Sequence, residues 1–183
     1  MATNRLSGAR SESGFTLIDL LFVISVIGLL CTMAIPGLMR ARGAAQSASA
    51  IGTIKVVNGA QLSFAITCGL GFYSPDLPTL GVKPPASVEA FLPVEMSSGP
   101  TFVKSGYLFS LAGTGLQGAP GSCNGLAPGA AASGYAVVGD PLDKSPQARY
   151  LGSNADGTIY DHTASLSAIM PETGVPGQGQ PIQ

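Results

Sequence analysis

"SGFTLIDLLFVISVIGLLCTMAIP", residues 13–36, is the stretch on which the fold turns. From Phe15 to Ile35 the chain runs 21 residues with Asp19 as the sole charge. Coiled as an α-helix at 1.5 Å per residue, it measures about 32 Å, enough for a hydrocarbon core of about 30 Å. The pattern predicts a transmembrane helix over 15–35. A cleaved secretory signal competes with that reading, because Arg5 and Arg10 make a basic leader and Thr32-Met33-Ala34 is a small-x-small site. The apolar run, however, exceeds the core of about 7–15 residues usual for such signals, and Pro36 would fall second after the cut. Arginines lie on both sides of the run (Arg5 and Arg10 before, Arg40 and Arg42 after), so the positive-inside count favours a cytoplasmic N-terminus only slightly.

Working outward, composition sets the frame. The chain has 183 residues, 45% hydrophobic and only 10% charged, with 25 Gly, 14 Pro and a net charge of −1. That length supports one domain with a real core. The charge balance gives no footprint for a nucleic-acid partner, and none is expected.

The junction at the head of the run is more specific. Arg10-Ser-Glu-Ser-Gly14 followed by Phe15-Thr16-Leu17-Ile18-Asp19 resembles the processing site of the type IV pilin family, which includes the pseudopilins of type II secretion systems. The resemblance rests on Gly14, Phe15, Thr16, Leu17, Asp19 and Pro36. It implies a leader, 1–14, cut between Gly14 and Phe15 by a prepilin peptidase, with N-methylation of Phe15. It also implies assembly through Asp19, where the family usually has Glu, and a helix kink at Pro36. The implied partners are sister subunits, the prepilin peptidase, and an inner-membrane assembly platform with its ATPase. The implied location is the inner membrane, single-pass, with the C-terminal domain in the periplasm, and then a pilus or pseudopilus fibre. The fold expected is α+β: a long N-terminal transmembrane helix continuing into a pilin-like domain, with a small antiparallel sheet on its outer half.

Physical chemistry gives Asp19 a reason. One turn into a helix, a carboxylate faces the positive end of the macrodipole. After cleavage it also lies near the new amine of Phe15, its own or a neighbour's. The competing reading is an unpartnered surface carboxylate. Gly14 suits a peptidase that must draw in extended backbone, since it carries no Cβ.

Residues 36–67 read as the outer half of the same helix. Ile51, Ile54, Leu62 and Ala65 share a face that Asn58 interrupts. Gly43, Gly52 and Gly59 weaken the helix, and Pro36-Gly37 would kink or locally melt it. Residues 68–170 make the globular region. It opens with a Gly/Pro-rich loop holding a short helix near Ser87–Leu92. Strand candidates follow at Thr101–Val103, Gly106–Leu111, Gly134–Val138, Arg149–Leu151 and Thr158–Tyr160, read as three or four antiparallel strands. Tyr107, Phe109 and Leu111 alternate to one side, and Asn154-Ala155-Asp156-Gly157 is a turn. Gly113–Ser133 is a small-residue connection, and 171–183 is expected to be a flexible tail.

Cys31 lies in the apolar run. Cys68 and Cys123 fall in the exported part, where an oxidising compartment permits a disulfide between them; by loop entropy it would contribute about 4 kcal/mol. His162 is the lone histidine, and no G-x-S-x-G elbow or paired Cys/His zinc spacing occurs. Some pseudopilins bind calcium near C-terminal loops. Here Asp140, Asp143, Asp156 and Asp161 make no EF-hand pattern, and turn chemistry accounts for Asp140-Pro141 and Asp156-Gly157. No cofactor, metal or catalytic residue is therefore expected, with calcium as the alternative that the resemblance leaves open. A fibre subunit is the leading expectation. A minor, tip-located pilin that initiates the fibre or binds a ligand, and a membrane-anchored enzyme, are the alternatives.

Overall fold

A computed structural model of the protein describes residues 14–85, 87–145 and 148–182. Arg5 and Arg10, with the rest of 1–13, lie outside the described residues. The elements are α1 (Leu17–Thr67), α2 (Leu77–Gly81), α3 (Val94–Ser97), β1 (Thr101–Lys104), β2 (Tyr107–Ala112), β3 (Ala136–Pro141), β4 (Tyr150–Asn154), β5 (Ile159–His162) and β6 (Gln180–Pro181). The chain divides into two units, Met1–Arg42 and Gly43–Gln183.

In the first unit every residue from Gly14 to Arg42 is exposed. Helix α1 passes through Pro36 and Gly37 without a break in helical structure, so the local melting considered from sequence does not occur.

The second unit is an α+β body. Its six strands form one antiparallel sheet in the order β1-β2-β3-β4-β5-β6, so neighbours in sequence are neighbours in space. Six strands replace the three or four expected. The candidate at Thr101–Val103 forms β1 (Thr101–Lys104), which pairs with β2 from Thr101↔Ser110 to Lys104↔Tyr107. The turn between them puts Ser105 and Gly106 at φ +51 and +80, the left-handed pair that suits a tight hairpin. The strand not among the candidates is β6, from the segment read as a tail. Gln180 opposes Asp161, Pro181 opposes Tyr160, and Ile182 N–H donates to Ile159 C=O at 2.8 Å.

Alternation assigns the two faces of the sheet. Tyr107, Phe109, Leu111, Val137 and Ile159 join Ala50, Ile54, Val57, Ala60 and Phe64 of α1 in the main core. Val138 and Tyr160, one residue along from Val137 and Ile159, point the other way. They meet Leu166 and Met170 in a second, smaller cluster. The sheet is therefore covered on one side by α1 and on the other by the 163–170 connection. Gly139 opposes Phe109 and has no room for a side chain: a Cβ there would stand 2.7 Å from the Phe109 ring.

The helix face differs in detail from the sequence expectation. The buried positions in α1 are Ser47, Ala50, Thr53, Ile54, Val57, Ala60, Gln61, Phe64 and Ala65, a stripe at spacings of three and four. Leu62 is exposed and Ile51 half-buried. Asn58 does not interrupt the packing but fastens it: its Nδ2 donates to Ser153 Oγ at 2.8 Å, and Tyr135 Oη donates to its Oδ1 at 3.1 Å. Gln61, fully buried, treats Ser74 as a strand would. It accepts from Ser74 N–H at 2.9 Å and donates to Ser74 C=O at 2.8 Å.

The short helix expected near Ser87–Leu92 is not formed. Two others flank that stretch. Helix α2 is capped by Asp76, whose carboxylate accepts from Thr79 N–H at 2.9 Å, and Pro78 sits in its first turn. Helix α3 follows Pro93 at its N-cap.

Candidate functional site

Gly14 and Phe15 precede α1 in non-helical backbone, and Phe15 is 84% exposed. Among the described residues nothing comes within 4 Å of where a Gly14 Cβ would stand. The helix begins with a reciprocal cap. Thr16 is the N-cap residue and Asp19 the third helical residue. Thr16 N–H and Thr16 Oγ1 both reach Asp19 Oδ2, at 3.1 and 2.5 Å, while Asp19 N–H lies 3.3 Å from Thr16 Oγ1. This is the capping-box arrangement with Asp where Glu or Gln is usual.

Asp19 thus has an intrachain partner that the sequence reading did not name. The signal was present: a threonine three residues before an acid, directly ahead of an apolar run. The carboxylate at the head of the run is oriented by two groups on Thr16. Within this chain its hydrogen bonds all end on Oδ2, and Oδ1 makes none among the described residues.

Further along the run the polar side chains turn inward on their own backbone. Ser25 Oγ donates to Leu21 C=O at 2.8 Å and Thr32 Oγ1 to Leu29 C=O at 2.7 Å. Such back-bonding lets hydroxyls sit in hydrocarbon without leaving a donor unpaired. Pro36 lacks the N–H that would bond the Thr32 carbonyl. The most apolar 18-residue window of α1 has mean hydropathy 2.5 and none of its residues buried. A single long apolar N-terminal helix of this kind is compatible with a membrane anchor. Cys31 is an exposed free thiol in this unit.

The other residues singled out from sequence lie in the body, and the fold keeps them apart. Cys68 and Cys123 are bonded to each other, with Cα atoms 4.9 Å apart. Asp140 accepts from Ser165 Oγ at 2.7 Å, while its other carboxylate oxygen is buried without a donor among the described residues. Asp156 accepts from Gly174 N–H at 2.8 Å, and Asp161 pairs with Arg149 at 2.8 Å. His162 Nδ1 accepts from Ala164 N–H at 3.1 Å in the turn after β5. Among the described residues no three of His, Cys, Asp or Glu gather where they could share a metal ion. The arrangement at residues 14–36 has no nucleophile–base pair; what it offers is an oriented carboxylate and a long lipid-compatible surface.

No protein-family model, curated protein or solved structure matches the chain.

Proposed function

We propose that the protein is a structural subunit of a type IV pilus or type II secretion pseudopilus. It is cut between Gly14 and Phe15, methylated at Phe15 and assembled into a helical fibre through its apolar helix. One observation carries this reading. A 21-residue apolar run begins directly after Gly14, is exposed along its whole length, and holds its only charge at Asp19, oriented toward the start of the helix.

Each part of that observation has a physical use. An apolar helix with no partner among the described residues of its own chain needs lipid or other copies of itself, and both would take this surface. The carboxylate is the natural mate of a cation brought to the same depth, and the amine created at Phe15 is such a cation. Oδ1 is the acceptor left for it, because Oδ2 is held by Thr16. In this reading sister subunits, the prepilin peptidase and an inner-membrane assembly platform with its ATPase are the partners, and the body faces the periplasm.

Mass spectrometry of the membrane-extracted protein tests the reading. The expected product starts at Phe15 and carries one added methyl group on its amine. A chain retaining Met1 in a cell with active prepilin peptidase, or one beginning at Ile35, would overturn it. Asp19→Ala tests the assembly step separately. The variant is expected to be cut normally and to lose sedimentable fibre; fibre yield equal to wild type would remove Asp19 from assembly.

A further inference from the structure

Outside the helix run, the chemically reactive pair in the body is the disulfide, and its two sulfurs do not share an environment. Cys68 is 3% exposed and belongs to the main core. It follows directly on the last residue of α1, and its N–H donates to Phe64 C=O at 2.9 Å. Cys123 is exposed. It opens onto a cleft of about 680 Å³ whose walls include Phe91, Glu89, Ser63, Thr67 and Pro84. That volume lies within the usual range of small-molecule clefts, so a thiol of tripeptide size has room to enter.

Thiol–disulfide exchange requires a thiolate to approach one sulfur along the S–S axis and displace the other, so access decides which sulfur is attacked. We propose that the Cys68–Cys123 bond exchanges from one side only: Cys123 Sγ is the sulfur that accepts an incoming thiolate, and Cys68 is the leaving and re-closing sulfur. An external monothiolate forms a bond to Cys123 Sγ as the S–S bond breaks. The electron pair goes to Cys68 Sγ, which takes a proton from water. A second external thiolate then attacks the external sulfur of the mixed disulfide. That step yields the free Cys123 thiolate and one molecule of oxidised thiol, so two external thiols are oxidised for each protein disulfide reduced.

The surroundings also set the direction of the balance. Burial and the negative end of α1 both disfavour a thiolate at Cys68. Opening therefore needs excess thiol, and re-closure by Cys68 competes with the second attack. Opening would remove the covalent tie and leave Cys123 N–H, which donates to Cys68 C=O at 3.2 Å, as the remaining link to the end of α1. The 113–133 connection would then be held nearby by Asn124 Nδ2, which donates to the carbonyls of Thr79 and Val82 at 2.8 and 3.2 Å. Glu89 at the cleft places a negative charge near the path of entry, so an anionic thiol should exchange more slowly than a cationic one. This inference stands apart from the fibre reading, since it concerns only the folded body.

The test uses the full chain in detergent, folded and oxidised. It is treated with excess glutathione in one arm and cysteamine in the other, quenched with an alkylating reagent and mapped by mass spectrometry. The expected result is at least about tenfold more glutathione adduct on Cys123 than on Cys68, with the alkyl group on Cys68. Glu89→Gln is expected to speed exchange with anionic glutathione about twofold while leaving cysteamine unchanged or slower. Adduct shared equally between the cysteines, or found mainly on Cys68, would overturn the proposal. Rates indifferent both to thiol charge and to Glu89→Gln would also overturn it, because they would mean that the chain must unfold before it exchanges.

Discussion

Along α1, residues 17–42 carry Leu, Ile, Val and Phe on every side and bury none of them, whereas residues 43–67 bury nine positions, chosen largely from small or polar types. The apolar half makes no core, and the milder half makes one. Hydrophobicity by itself therefore did not say where this protein packs against itself. Periodicity did: an all-round apolar helix needs surroundings supplied from outside the chain, while a stripe at spacings of three and four needs only one sheet. Ser47, Ala50, Thr53 and Ala60 serve the stripe because small side chains let backbone come close, with Ile54, Val57 and Phe64 supplying the volume.

The sharpest way to break this comparison is to delete one phenylalanine ring from each half. Phe64 is fully buried and stands edge-on to Phe91 with ring centres 5.4 Å apart. Phe64→Ala is expected to destabilise the body by about 3–5 kcal/mol in denaturant unfolding of the detergent-held chain. Phe22→Ala, on an exposed position, is expected to stay within about 0.5 kcal/mol of wild type in the same assay. Equal losses would show that the first half also takes part in the cooperative core.

A second, smaller effect concerns polar packing. Gln61→Leu keeps the volume but strands the N–H and C=O of buried Ser74, and about 1–3 kcal/mol should be lost. An unchanged midpoint would show that the strand-like bridge contributes nothing. Smaller again, Asp76→Ala removes the cap of α2 and is expected to cost about 1 kcal/mol, read as a shift in the same midpoint.

The gentlest probe is alkaline pH. Burial pushes the phenols of Tyr135 and Tyr107 above their ordinary value of 10.0, with the neighbouring Tyr73 adding to the shift at Tyr135 and Arg149 opposing it at Tyr107. The folded chain therefore holds these protons where the unfolded chain has released them. Their stabilising contribution is complete below about pH 10 and is lost as pH rises beyond it. Melting temperature should be flat from pH 8 to 9.5 and fall from pH 10 upward, and Tyr135→Phe should flatten that fall. A variant that falls as steeply as wild type would clear Tyr135.

How far the sequence carried the reading differs between the same two regions. In the first, hydropathy marks the apolar helix outright, and its length and single acid need no tertiary information. The capping threonine at 16 is legible only from its spacing, as a hydroxyl three residues before the acid, a far weaker mark than the charge itself. In the body, β2 was plain from the alternation of Tyr107, Phe109 and Leu111, and the 154–157 turn from its Asp-Gly. The face of α1 was only half legible. Leu62 looks like a core residue and is exposed, while Gln61 looks like a surface residue and is buried, because a specific backbone partner outweighs side-chain polarity. The 171–182 segment was misread as free. Its order comes from long-range hydrogen bonds: Tyr135 and Ala155 N–H groups both reach Glu172 C=O at 3.2 Å, and the Glu172 carboxylate accepts from Thr114 N–H at 2.7 Å. No local pattern of Gly and Pro announces such anchors.

The two-residue strand β6 has a consequence of its own. A β-sheet is exposed to sticking along its outermost strands, where unpaired backbone groups invite a neighbouring chain to add itself. Here one margin is the four-residue β1 and the other only Gln180–Pro181, whose proline has no amide hydrogen to offer. Chains crowded side by side would find little ribbon to zip onto at that margin. Trimming the last few residues would uncover the β5 edge that β6 now pairs with, lengthening the ribbon open to a neighbouring chain.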